Sequence, residues 1–167
     1  MLVESLSRNK DILVSQWLET ALQPYAENTR RFLLLERDPF RNPVGNSLHV
    51  GLPLLLEVIL DGRELREVLP ALDTILRIRA TQDFNATEAV SFIFSFKEIF
   101  RRALNPGGER DADLLLLMAM DARIEDMARL AHKVFTQCRE QMGTIQSNEL
   151  KRRSFVAERM AMKRSSL

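Results

Sequence analysis

The sequence predicts an all-α fold, a helical bundle that ends in one long C-terminal helix. Three observations carry that prediction. Apolar residues recur at i, i+3 and i+4 through segment after segment. Caps and prolines punctuate those segments at helix-like intervals. From Leu117 to Ile145, finally, a 3-4-3-4 apolar spacing runs on without a proline. The chain has no strand pairs, repeats or low-complexity tracts.

The first helix is expected over Asn9–Leu22, where Leu13, Val14, Trp17, Leu18, Ala21 and Leu22 make one stripe that Pro24 ends. A short second helix fits Glu27–Glu36. The stretch RDPFRNPVGNS (Arg37–Ser47) then turns the chain, because residues before proline are pushed out of the α region. Phe40 is expected to anchor this corner in the core. Asn42 or Asn46 can cap the helix that follows, which carries Leu48, Leu52, Leu55, Leu56 and Ile59 and closes at Asp61-Gly62. Pro53 predicts either a kink in that helix or a late start. Glu64–Leu69 reads as a turn or two of helix, and Pro70 suits the first position of the next, which runs to about Ala80.

NATE (Asn85–Glu88) has the form of a capping box. Behind it, Phe92, Phe94 and Phe96 alternate like a strand, yet length and cap favour a helix to Leu104, apolar almost all round. Asn105–Gly108 is the clearest break. The last helix is expected over Asp111–Ile145, with a seam of Leu117, Met120, Ile124, Met127, Ala131, Val134, Cys138, Gln141 and Ile145. At 1.5 Å per residue it would be roughly 50 Å long, beyond a domain whose radius of gyration is about 15 Å. The seam should therefore meet a second copy or another protein. Residues 146–167 carry six Lys/Arg against two Glu and read as a basic tail.

At 167 residues the chain is one domain, long enough to bury roughly 70% of its unfolded surface. A 46% hydrophobic, 28% charged composition is ordinary for a globular protein, and the net charge of +1 gives no case for nucleic acid. Cys138 stands alone, which excludes an internal disulfide and predicts a reducing cytoplasm. The N-terminus has no signal-peptide pattern. The longest apolar runs, Leu52–Leu56 and Leu114–Met120, fall short of the ~20 residues of a membrane span, so no transmembrane segment is expected.

Three segments, ERDPFRNPVGNSL (Glu36–Leu48), RIRATQDFNATEAVSFIFSFKEI (Arg77–Ile99) and CREQMGTIQSNELKRRSFVAER (Cys138–Arg159), together resemble the N-terminal domain of RsbR-type co-antagonists of RsbT. The resemblance spans nearly the whole chain, and the RxRAxQDF stretch is its most specific part. It implies an all-helical, non-haem, sensor-like domain, for which a globin-like bundle is one arrangement. In stressosome-type relatives it precedes an output module. A stand-alone version is associated with anaerobic, sulfate-reducing bacteria and their sulfur-metabolism operons. The chain departs from the family at Ala86, where relatives tend to have proline, and at Pro53. The family offers no catalytic residue to carry over.

Each candidate site has a packing reading beside its functional one. At the corner, Arg41, Asn42 and Gly45 either turn the chain or, with Arg37 and free N–H groups at the helix start, hold an anion. Arg77, Arg79, Gln82 and Asp83 either complement a helix end, with Arg79 paired to Asp83, or read a small ligand. Haem would need an axial histidine in an apolar pocket, and His132 sits between Arg129 and Lys133 on a charged face; His49 is the other imidazole. No metal set is spaced for zinc, so no cofactor or metal is expected. Cys138 is read as packing, or else as a redox thiol.

No catalytic motif appears, and a non-enzymatic regulatory module is expected. It would homodimerise through Leu117, Met120, Ile124, Met127, Val134, Cys138 and Ile145, and pass a signal by shifting the packing of the phenylalanine-rich helix on the seam. The alternative is an accessory subunit docking on a redox (sulfur-metabolism) complex through the tail residues Lys151, Arg152, Arg153, Arg159, Lys163 and Arg164. The same tail suits peripheral association with anionic lipid.

Overall fold

In the computed structural model, which describes residue 6, residues 8–104 and residues 111–165, every regular element is helical. The order is α1 (Lys10–Ala21), α2 (Glu27–Leu35), α3 (Pro43–Asp61), a 3₁₀ turn (Leu65–Val68), α4 (Leu69–Thr81), α5 (Ala86–Leu104) and α6 (Asp111–Ser165). The predicted break at Asn105–Gly108 lies outside the described residues.

The fold is built around α3 and α5. Asn42 caps α3, Pro43 occupies its first turn, and Gly62 ends it in the left-handed region at φ 66°. The helix therefore starts early and runs through Pro53, which rules out the late start, one of the two expected alternatives. An internal proline costs about 3 kcal/mol. Burial of Leu48, Leu52, Leu55, Leu56 and Ile59 offsets this at about 1.5–3 kcal/mol each. By length and composition α3 could cross a membrane, with a mean hydropathy of 1.4. It is instead the core helix, packed against α1 and α4.

The strand-like alternation in α5 resolves at helical spacing. Phe92, Phe96 and Phe100 are buried at i, i+4 and i+8, whereas Phe94 is 47% exposed. Trp17 of α1 is fully buried against this face, its ring 4.4 Å from that of Phe96, and its Nε1 donates to the Phe92 carbonyl at 2.6 Å. The capping box forms as the sequence suggests: Glu88 N donates to Asn85 Oδ1 at 2.9 Å and Asn85 N donates to Glu88 Oε2 at 3.0 Å.

Helix α6 lies against α5 and α4. Lys97 pairs with Glu125 and Arg101 with Asp121, both at 2.6 Å. Arg123 donates to the Val58 carbonyl at 2.7 Å, and Arg139 to the Ala80 carbonyl at 3.0 Å. Each of these arginines thus meets carbonyls in the last turn of a neighbouring helix, where the dipole favours a cation.

The seam needs correcting. Met120, Ile124, Met127, Ala131, Val134 and Cys138 are all buried, and the chain's own α4 and α5 cover them. A 3-4 spacing reports an apolar stripe but not what covers it; here two earlier helices provide the groove. The ends depart: Leu117 is half-buried, Gln141 is exposed and Ile145 is 67% exposed. Nor does the helix stop at Ile145. It continues to Ser165, so the expected tail is the distal part of a 55-residue helix about 80 Å long.

Candidate functional site

At the corner, Asn42 is buried and all of its side-chain polar atoms are engaged. Its Nδ2 donates to the carbonyls of Leu33 and Glu36, each at 2.9 Å, and its Oδ1 accepts from Gly45 N at 2.7 Å. One side chain therefore closes the end of α2 and opens α3. A Cβ on Gly45 would sit 2.2 Å from Asn42 Nδ2 and 2.3 Å from the Leu33 carbonyl oxygen, so only glycine fits. The N–H that an anion would want is already taken, and Arg41 pairs with Glu36 at 3.1 Å. This geometry makes a corner. Phe40 does not anchor it: the ring is 94% exposed, while its N–H donates to Asp38 Oδ1 at 2.9 Å. The Asn42 network already supplies the anchorage the phenylalanine was expected to give.

The second cluster is split. Arg77 lies on the surface, bonded to Asp73 at 2.9 Å and to Gln141 at 3.3 Å; the hydrogen bond and charge of Asp73 raise its pKa. Arg79 points the other way and is 2% exposed. Its guanidinium donates to the Ala21 carbonyl at 2.9 Å and to those of Ala89 and Glu88 at 3.2 and 3.4 Å. Phe84 and Phe92 sandwich it, their ring centroids 4.9 and 4.7 Å away. Burial lowers its pKa and the nearby Tyr25 opposes the shift, yet arginine stays charged.

Arg79 is thus a cation solvated by backbone oxygens, tying the end of α1 to the start of α5. Beside it, Tyr25 donates to Gln82 Oε1 at 2.7 Å, and burial raises the tyrosine pKa. The expected Arg79–Asp83 pair is absent among the described residues. Asp83 instead faces solvent with φ 59°, a left-handed position that aspartate tolerates, and so turns the chain into the cap at Asn85.

Cys138 is buried, its Sγ 3.8 Å from Asp73 Oδ1; desolvation raises its pKa although Arg77 pulls it down. Such a thiol is a poor nucleophile at neutral pH. The basic residues Lys151, Arg152, Arg153, Arg159, Lys163 and Arg164 all lie on exposed distal α6. Two of them, Arg152 and Arg153, bond to Glu149 at 3.0 and 3.2 Å.

Sequence reasoning missed one pairing. Arg37 Nη1 lies 2.7 Å from His49 Nδ1, joining the corner to α3. Burial and then the Arg37 charge lower the His49 pKa, against the carbonyls of Leu33 and Leu34, which raise it. The two residues are 12 apart in the sequence, and no spacing rule links a loop arginine to a histidine nearly two turns into the next helix.

No curated protein and no solved structure matches the sequence. A family model does, over residues 11–150, which takes in α2 to α5, all of α1 but its first residue, and α6 to its exposed part. The domains of this family are regulatory, sensor-type modules in stressosome signalling. The fold, the corner and the RxRAxQDF segment all fall within the match, and the chain belongs to the family of the RsbT co-antagonist protein rsbRD N-terminal domain.

Proposed function

We propose that the protein is a non-enzymatic regulatory module whose output element is the distal part of α6. The observation that carries this reading is the continuation of the buried stripe onto exposed helix. Beyond Cys138 the same face, at steps of three and four residues, carries Met142, Ile145, Glu149, Arg152, Val156 and Met160, apolar at all but Glu149 and Arg152. Ile145, Val156 and Met160 are 67, 46 and 64% exposed. Upstream, the same face packs on α5, and the Lys97–Glu125 and Arg101–Asp121 pairs span that contact. A change in α5 packing therefore tilts the rigid arm, and a bound partner feels the tilt.

The charge of the arm supports one kind of partner. Residues 146–167 carry six basic and two acidic side chains, so a second copy would bring +4 against +4. Like charges at that density penalise self-pairing. The arm fits an acidic partner protein with an apolar strip, rather than the homodimer expected from the seam.

The test is size-exclusion chromatography with light scattering, together with affinity capture from native cells. The intact chain should run as a monomer at micromolar concentration. The captured protein, once purified, should bind the intact chain but not a chain ending at Met142. Ile145→Asp and Arg152→Glu should each weaken that complex at least about tenfold. Full retention of the partner by the shortened chain, or a stable dimer of the isolated protein, overturns the reading.

A further inference from the structure

A groove of about 290 Å³ lies between α1 and the proline-bearing stretch of α3, away from the α6 arm. Its floor is apolar, made by Val14, Leu18, Pro53 and Leu56. Its rim carries both signs of charge, Lys10 and Arg37 against Asp11 and Glu57, with Ser15 between. That size suits a metabolite of amino-acid dimensions and is below the usual range for drug-sized ligands.

Two features leave the rim short of partners. Arg37 has an imidazole as its hydrogen-bond partner, at 2.7 Å, and forms no ion pair among the described residues. A carboxylate is a much better acceptor for a guanidinium than a neutral ring nitrogen is. Glu57 has only a 3.8 Å contact with Arg63, so its carboxylate can accept a further donor.

We propose that this groove binds a free α-amino acid with a small aliphatic side chain. Arg37, helped by Lys10, holds the carboxylate. Glu57 and Asp11 receive the ammonium, and Val14, Leu18 and Leu56 cover the side chain. An anion alone would leave two carboxylates on the rim unmatched, and a cation alone would leave two basic groups unmatched. The site stands independently of the distal arm and would give a sensor-type bundle a signal to read.

The chain has two histidines, which provides a local reporter. Imidazole resonances of the full chain are followed by NMR during titration with L-valine, L-leucine and L-methionine. At least one of them should shift His49 saturably while His132, on an exposed face of α6, stays still. 4-Methylpentanoate and isoamylamine, which each keep one charge of leucine, should bind at least about tenfold more weakly. Arg37→Gln and Glu57→Gln should each weaken binding by a similar factor while leaving the melting temperature in place.

No saturable His49 shift with any of the three amino acids up to about 10 mM overturns the proposal. So does equal binding of a singly charged analogue, or parallel movement of His132.

Discussion

Replacing Arg79 with methionine deletes the guanidinium but keeps most of the volume of its stem. The Ala21 carbonyl then loses its donor at 2.9 Å, and an unsatisfied buried acceptor costs about 1–3 kcal/mol. The carbonyls of Glu88 and Ala89 lie in the first turn of α5, where helical N–H groups still reach them, so their loss is smaller. Two desolvated cation–π contacts, to Phe84 and Phe92, are worth about 2 kcal/mol each. Against these gains stands the penalty for burying a cation with no carboxylate beside it, several kcal/mol.

The net expectation is a loss of about 2–4 kcal/mol. For a domain of this size that lowers the melting temperature by roughly 6–12 °C. Urea unfolding followed by circular dichroism measures it, with the midpoint moving at constant slope. Arg79→Lys keeps the charge but cannot span Ala21 and Ala89 at once, so it should lose at least half as much. A methionine variant as stable as the parent, or more so, would mean that desolvation outweighs the carbonyl cage, and the account of Arg79 as the tie between α1 and α5 would fail.

Gly45→Ala should destabilise by about 3 kcal/mol or more, since the new methyl meets Asn42 and the Leu33 backbone at 2.2–2.3 Å; a thermal melt near the parent's would refute the corner geometry. Phe40→Ser should change stability by less than about 0.5 kcal/mol, because the ring is 94% exposed; a large loss in urea unfolding would restore the anchor reading.

His49 gives a pH dependence. Its folded pKa lies below the unfolded value near 6.5, so on acidification the unfolded chain takes up the proton first. Stability should therefore fall as pH drops through about 6.5, and His49→Gln should flatten that part of the profile. An unchanged profile in the variant would sink the assignment.

The helices were largely legible because their signals are local. The Asn85/Glu88 box, Pro43 with Asn42 at the start of α3, and Gly62 at its end each act within one turn of chain. The corner was legible in kind, through its prolines and asparagine, but not in detail. Which residue anchors it depends on Asn42 reaching back nine residues to Leu33, and Phe40 was left outside as a result. The Arg77–Asp83 cluster looked coherent in sequence because its members are close neighbours. On a helix, residues two apart point to nearly opposite sides, so Arg77 met Asp73 and Gln141 while Arg79 entered the core.

By itself the sequence determined that this protein is helical, where most helices begin and end, and that a long apolar stripe runs down the last one. Those properties follow from dihedral preferences, caps and a 3.6-residue period, all of which act over a few residues. Tertiary structure alone decided what covers the stripe. Met120 to Cys138 are shielded by α4 and α5, brought there by contacts some 30 to 65 residues apart such as Lys97–Glu125 and Cys138–Asp73. The face beyond Met142 was left bare because the bundle is shorter than the helix. Burial depends on which surfaces meet, and no local pattern encodes that.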